Sequence, residues 1–239
     1  MVDGSAFVFP KEDPWAQNQL LLVLAGNSNT ELAEKLEGNK EYLYNLFMKR
    51  LIKETEELMF SKLEQKDLSR KILDKFGWTL RIQHDYITNI ERAQEKFYML
   101  RRSLPGRERW LFVHWIDDAD PAIINQEWIL NMRDRLTTRF YKADSVNRDP
   151  HYLKSYEKEI ANRLAVVVEG LWENTTEVVG GPFRTYAFYD EKSGRIYMID
   201  ISVYSPAGTK EPFLRQLAVM ANTFQTADDI KKLEIKEAR

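Results

Sequence analysis

The stretch from Arg163 to Tyr204 constrains this chain more than any other, because its spacing leaves little choice but neighbouring β-strands. In its last third Tyr197, Ile199, Ile201 and Val203 fall on one side while Asp200 and Ser202 fall on the other, the period of a half-buried strand. Leu164 to Val168 is apolar on both faces, and Asp190-Glu191-Lys192-Ser193-Gly194 is a hairpin loop with glycine at its end. The spacing predicts a three-strand meander over 163–172, 183–189 and 195–204. Gly180-Gly181-Pro182 stands at its corner. Two glycines there either let backbone amides approach a ligand, with Trp172, Glu173 and Arg184 close by, or adopt positive φ ahead of a proline that opens an edge. Composition favours the structural reading.

Upstream, Asn18 to Ala25 is an apolar run closed by Gly26-Asn27-Ser28-Asn29 and reads as a buried strand and turn. Leu32, Leu36, Leu43, Leu46, Phe47, Leu51 and Leu58 then recur at helical spacing, with Gly38-Asn39 as a soft spot that splits the helix. Leu68, Ile72 and Phe76 mark a shorter helix ended by Gly77. Strands are expected at Trp78–Ile82, Lys96–Arg102 and Trp110–Ile116. A helix starts at Asp120-Pro121 with the stripe Ile124, Trp128, Met132, Leu136 and Phe140, and 142–150 reads as loop. Phe213, Leu217, Met220 and Phe224 are the core face of a final helix, and the charged residues beyond Gln225 read as a frayed tail.

Charge narrows the partners. Lys and Arg number 35 against 37 Asp and Glu, so there is no basic field to hold nucleic acid. The absence of cysteine removes disulfides, thiolate catalysis and cysteine-based metal sites, and leaves the compartment open. The longest apolar run, Leu20 to Ala25, is far short of the ~20 residues of a spanning helix, and the N-terminus has no signal-peptide pattern.

Chemistry-bearing motifs are few. His114, Asp117 and Asp118 form the one dense group of ligand types, readable as a metal or acid–base site for a hydrolase. The competing reading puts His114 among the aromatics of a strand and gives the acids following it to a helix cap. His84 and His151 stand alone, and nucleotide-loop, dinucleotide and nucleophile-elbow motifs are absent, so no cofactor is expected. Asn174-Thr175-Thr176 matches a glycosylation sequon of little weight.

Glu169-Gly170-Leu171-Trp172-Glu173, Gly180-Gly181-Pro182-Phe183, Tyr189 to Arg195 and Phe213-Leu214-Arg215-Gln216-Leu217 together resemble the C-terminal signature of a Bacteroidetes family of exported lipoproteins, domain of unknown function 4837. The likeness extends more loosely through Asp13-Pro14-Trp15-Ala16-Gln17 to Lys75-Phe76-Gly77. It implies a cell-envelope location, periplasmic or at the outer membrane, and membrane attachment only through a lipid anchor that this chain lacks. It implies no catalytic residue. Family members carry a signal peptide, a lipid-bearing cysteine and a long segment before Asp-x-Trp-Ala, so a truncated N-terminus is expected. A strand at Leu20–Leu24 that had thereby lost neighbours would pair two copies into a homodimer. Sedimentation equilibrium finding only monomer at high concentration excludes that.

The expectation is an α+β chain: a strand and long helices over 1–77, an antiparallel sheet sandwiched by helices over 78–225, and a tail over 226–239. The order of elements is similar to the fold of the extrinsic P subunit of photosystem II, which carries no function with it. The expected function is noncatalytic binding of an envelope protein, peptide or glycan at Trp172, Glu173, Gly180, Gly181 and Arg184. A metal-dependent or acid–base hydrolase and a purely structural subunit are the alternatives.

Overall fold

A computed structural model describes residues 7–140, 144–174 and 176–237. It is α+β and divides into two compact units, Met1–Leu58 and Met59–Arg239.

The first unit pairs β1 (Val8–Glu12) with β2 (Leu20–Leu24) antiparallel, Val8 opposite Leu24 and Glu12 opposite Leu20. The strand expected at Leu20–Leu24 is present, and β1 is the neighbour that its sequence, Val-Phe-Pro-Lys-Glu, conceals by lacking alternation. α1 (Asn29–Gly38) follows, with the Ser28 hydroxyl accepting from the Glu31 amide at 3.1 Å, an N-cap. The break expected at Gly38-Asn39 separates it from α2 (Lys40–Phe60). Arg50 of α2 ties back to the hairpin through Asp13 at 2.9 Å. The apolar stripe of this helix is not a core face throughout, since Phe47 is 49% and Leu58 74% exposed.

In the second unit α3 (Lys66–Phe76) ends where Gly77 takes φ +76 and its amide bonds the Leu73 carbonyl at 2.8 Å, a conformation that costs a residue with a Cβ. Two residues, β3 (Trp78–Thr79), follow, then β4 (Ile87–Arg92), β5 (Phe97–Leu104) and β6 (Arg107–Ile116). A 3-10 turn at Pro121–Ile123 leads to α4 (Gln126–Phe140). β7 (Ser145–Val146) and β8 (Lys154–Ile160) precede the meander of β9 (Arg163–Asn174), β10 (Val179–Asp190) and β11 (Arg195–Tyr204). α5 (Glu211–Asn222), β12 (Gln225–Thr226) and α6 (Ala227–Glu237) complete the chain.

Eight strands form one antiparallel sheet in the order β4-β5-β6-β11-β10-β9-β7, with β8 also on β9. One face packs α3 and α5 against Leu111, Val113, Val167, Tyr186, Ile199 and Ile201. The other packs Ile129, Leu130, Met132 and Leu136 of α4 against Phe97, Phe112, Val168, Phe183 and Met198. The predicted sandwich and the predicted meander are therefore both present.

Three expectations are corrected. The segment Trp78–Ile82 is not a strand of the main sheet: only Trp78 and Thr79 are paired, and they pair with β12. Trp78, Leu80 and Ile82 are all fully buried, so their alternation reflects burial in the helical layer and not a ladder. α3 belongs to the second unit, whose core takes Ile72 and Phe76, so the division lies after Leu58 and not after residue 77. The segment from Gln225 is a short strand and a helix, held where Asp229 meets Arg163 at 2.5 Å and accepts from the Thr226 amide at 2.9 Å. Charge alone had marked it as frayed.

Candidate functional site

The corner of the meander explains its own sequence. β10 stays on β9 as far as Val179 opposite Asn174, but its ladder with β11 stops at Phe183 opposite Ser202. Pro182, with no amide to donate, is the first residue beyond that stop. Neither Gly180 nor Gly181 has positive φ; Val178 does, at +54°. The glycines are required by close approach instead. A Cβ on Gly181 would lie 2.0 Å from the Val203 carbonyl oxygen and 3.1 Å from Trp172 Nε1, and one on Gly180 would lie 2.7 Å from the Trp172 carbonyl oxygen.

Strand alternation divides the five expected site residues between two faces. Trp172 is 2% exposed and packs in the core of the α4 face, the side to which register also assigns Gly181. Glu173, Gly180 and Arg184 alternate to the other. There Arg184 pairs with Glu169, directly opposite on β9, at 2.5 Å. Glu173 accepts from Asn147 Nδ2 at 3.0 Å. The five do not line a single groove.

Trp172 does floor one, with residues that sequence reasoning missed. A cavity of about 360 Å³ opens beyond the end of α4, lined by Met99, Trp110, Phe140, Trp172 and Tyr204, with Asp144, Glu108, Arg101, Asn174 and Glu177 among its polar groups. Trp110 meets Trp172 edge to face, centroids 5.7 Å apart and planes at 87°, and Tyr204 lies 6.5 Å from Trp172. Such pairs add to burial by the attraction of one ring's edge for another's face. The Trp172 indole N–H is buried with no hydrogen-bond partner among the described residues. The alternation of Trp110 with Phe112, and of Tyr204 with Ser202, was a legible signal. Their convergence needs the β6-β11 register, which places Trp110 opposite Ser202.

The polar groups are ordered by the turn after β9. Asn174 Oδ1 accepts from the amides of Thr176 at 3.0 Å and Glu177 at 2.9 Å, while its Nδ2 donates to Asp144 at 2.8 Å. The sequon asparagine is thus buried and engaged, and Thr175 lies outside the described residues, as do 141–143 of the expected loop. Burial pushes the Asp144 carboxyl above its ordinary range against the Asn174 hydrogen bond and the Arg133 charge; Glu177 adds to the rise. Arg101 grips Glu108 with two bonds of 2.6 Å.

His114, Asp117 and Asp118 do not converge, which corrects the metal and acid–base reading. His114 faces the α4 side, 7% exposed, its Nδ1 donating to the Lys96 carbonyl at 2.8 Å. Asp117 is held by Lys96 at 2.6 Å and Arg195 at 2.7 Å. Although burial opposes it, those two cations keep its carboxyl below the usual range. Asp118 sits in the following turn at φ +50°. Among the described residues no three His, Asp or Glu side chains gather as a metal site. His84 lies 3.2 Å from Asp85, and His151 is exposed.

Burial pushes the His114 imidazole down from 6.5 to about 4. Its folded form refuses a proton that the unfolded chain accepts, so the fold keeps this stability above the unfolded value and loses it as pH falls toward the folded one. The loss approaches about 3 kcal/mol, at 1.36 kcal/mol per unit. Urea unfolding near pH 7 and near pH 4 should show His114→Gln with a correspondingly flatter acid slope than the parent. Equal slopes would show the imidazole to be protonated inside the fold. The difference between the two proteins isolates His114 from Asp144, whose raised value acts in the opposite sense.

No helix is long and apolar enough to cross a membrane among the described residues. No protein of curated function matches the chain. Among solved structures, the yeast Saccharomyces cerevisiae Ran-binding protein Mog1p is 11% identical over 63% of this chain and 90% of its own, with a TM-score of 0.41. A point mutant of Mog1 gives 11%, 63%, 91% and 0.40. The human StarD13 lipid transfer and protein localization domain gives 13% identity over 67% of this chain and 95% of its own, with a TM-score of 0.21. Likenesses this distant carry no function across. A sequence-family match is of a different kind: it covers residues 65–223, more than half of the chain, and runs from α3 to the end of α5. By that match the chain belongs to the family of the domain of unknown function DUF4837.

Proposed function

We propose that this protein is a noncatalytic binding module of the bacterial cell envelope, from a Bacteroidetes lipoprotein family, and that its aromatic groove takes a protein, peptide or glycan partner. The observation that carries the reading is the groove itself: three rings, Trp110, Trp172 and Tyr204, meet at one open cavity whose rim is polar. An apolar floor with a few placed polar groups is the usual composition of a site that binds. The rings are presented by three different strands of a packed sheet, so the floor is rigid before any partner arrives. The envelope location rests on the sequence resemblance.

Pull-down from the native cell tests it, because the groove and Arg184 lie on opposite faces. Trp110→Leu combined with Tyr204→Ala should release at least about nine-tenths of the copurifying partner, a loss of ~1.4 kcal/mol or more. Arg184→Ala should release none. If Arg184→Ala alone releases the partner, the binding surface is on the α5 side and the groove reading is wrong.

A further inference from the structure

The groove sets a buried carboxylate beside its rings. Among the described residues of its lining, the one guanidinium, Arg101, is already bound to Glu108 by two hydrogen bonds of 2.6 Å, and the buried carboxylate beside the rings is Asp144. Asp144 is the telling member. It is 8% exposed, lines the cavity, and receives a neutral amide, Asn174 Nδ2, as its side-chain hydrogen bond. A buried carboxylate answered by an amide instead of a cation is held at a cost, and burial accordingly raises its proton affinity. Beside it the rings of Trp110, Trp172 and Tyr204 carry negative π-density on their faces. An organic cation on an apolar stem satisfies both walls: the stem lies on the rings, the charge gains cation–π attraction, and the carboxylate gains its counter-ion. A metal ion would use the carboxylate and waste the rings. A neutral sugar would use the rings and give the carboxylate hydroxyl donors but no counter-charge. The volume of about 360 Å³ lies at the small end of ligand sites, which run from roughly 300 Å³, and so suits a side chain rather than a large ligand.

Resting on the binding reading above, we propose that the groove captures a lysine or arginine side chain of a partner polypeptide, its stem on Trp110, Trp172 and Tyr204 and its cation against Asp144. Pairing a cation with a carboxylate makes the capture dependent on salt, weakly so because Asp144 is buried.

The test follows the tryptophan indole N–H resonances by NMR while blocked heptapeptides are added, glycine throughout except for a central lysine, arginine or norleucine. The lysine and arginine peptides should shift the Trp110 and Trp172 signals saturably and bind at least about ten-fold more tightly than the norleucine peptide. Asp144→Asn, which keeps an oxygen for Asn174, should abolish most of the preference, by roughly ten-fold. Equal binding of lysine and norleucine peptides would overturn the cation assignment and leave a groove that binds by its rings. Stronger shifts with a chitin oligosaccharide than with any peptide would overturn it in favour of a glycan. No shift with any peptide overturns it as well; the pull-down above then decides separately whether the groove binds anything.

Discussion

Gly181→Ala should lower the stability of this protein by about 4 kcal/mol or more, among the largest losses a single methyl group can cause. The new Cβ would sit 2.0 Å from the Val203 carbonyl oxygen, well inside any contact distance, and the obstructing atom is backbone in β11. A flexible side chain could swing aside; a strand paired to β6 through Val203 opposite Arg109 cannot move without breaking its ladder. The Trp172 ring, 3.1 Å from the same point, blocks the other escape. Gly180→Ala meets the Trp172 carbonyl at 2.7 Å and should cost less, about 1–3 kcal/mol, since the intrusion is shallower. Gly38→Ala is the control. Nothing lies within 4 Å of its Cβ at the end of α1, and replacing glycine there should be neutral or stabilise by up to about 1 kcal/mol. Chemical denaturation of the three variants gives the ordering. A Gly181→Ala protein as stable as the parent would mean that β10 does not cross Val203 closely, and the groove wall beside Tyr204 would lose its basis.

That corner shows where sequence reasoning stops. The meander was legible because alternation in Tyr197 to Val203 and a hairpin loop at 190–194 are local signals, and each strand's period survives any packing. The reason for Gly180-Gly181 was not, because it depends on an oxygen of Val203 that no local window contains. The same distinction separates the two site readings. Trp172, Glu173 and Arg184 are close in sequence register yet alternate between faces. Trp110 and Tyr204 are far from Trp172 in sequence and meet it through the pairing of β6 with β11 and β11 with β10. The stripe of α4, Met132 and Leu136 among it, is legible in the sequence, but nothing in that stripe singles out Arg133, which is buried. A charged residue one position after a core methionine gives no hint of a buried partner sixty-seven residues away.

Arg133→Met is the second large effect expected. Arg133 and Asp200 are each 1% exposed, with Nε donating to Oδ2 at 2.9 Å. Around them Ser202 accepts from Arg133 Nη2 at 3.1 Å and donates to Asp200 Oδ1 at 2.8 Å, and Thr185 donates to Asp200 Oδ2 at 2.6 Å. The guanidinium also lies 4.1 Å from the centre of the Phe183 ring. The pair sits between α4 and the sheet, where its charges have traded water for one another. Removing the cation alone leaves a carboxylate with two hydroxyls in a dry layer, at a cost of about 3–5 kcal/mol. Removing both, in Arg133→Met with Asp200→Leu, relieves the stranded charge and should recover most of that loss, though Ser202 and Thr185 then lose their partner. The double-mutant cycle should therefore show a coupling of about 2–3 kcal/mol. A single Arg133→Met variant costing less than about 1 kcal/mol would mean that water reaches Asp200 once its partner is gone. The consequence reaches the groove, because the Arg133 charge also draws down the proton affinity of Asp144. With Arg133→Met that carboxyl should rise further and bind its proton at higher pH, so a lysine peptide that prefers the ionised form should bind more weakly as pH falls, and do so sooner than in the parent.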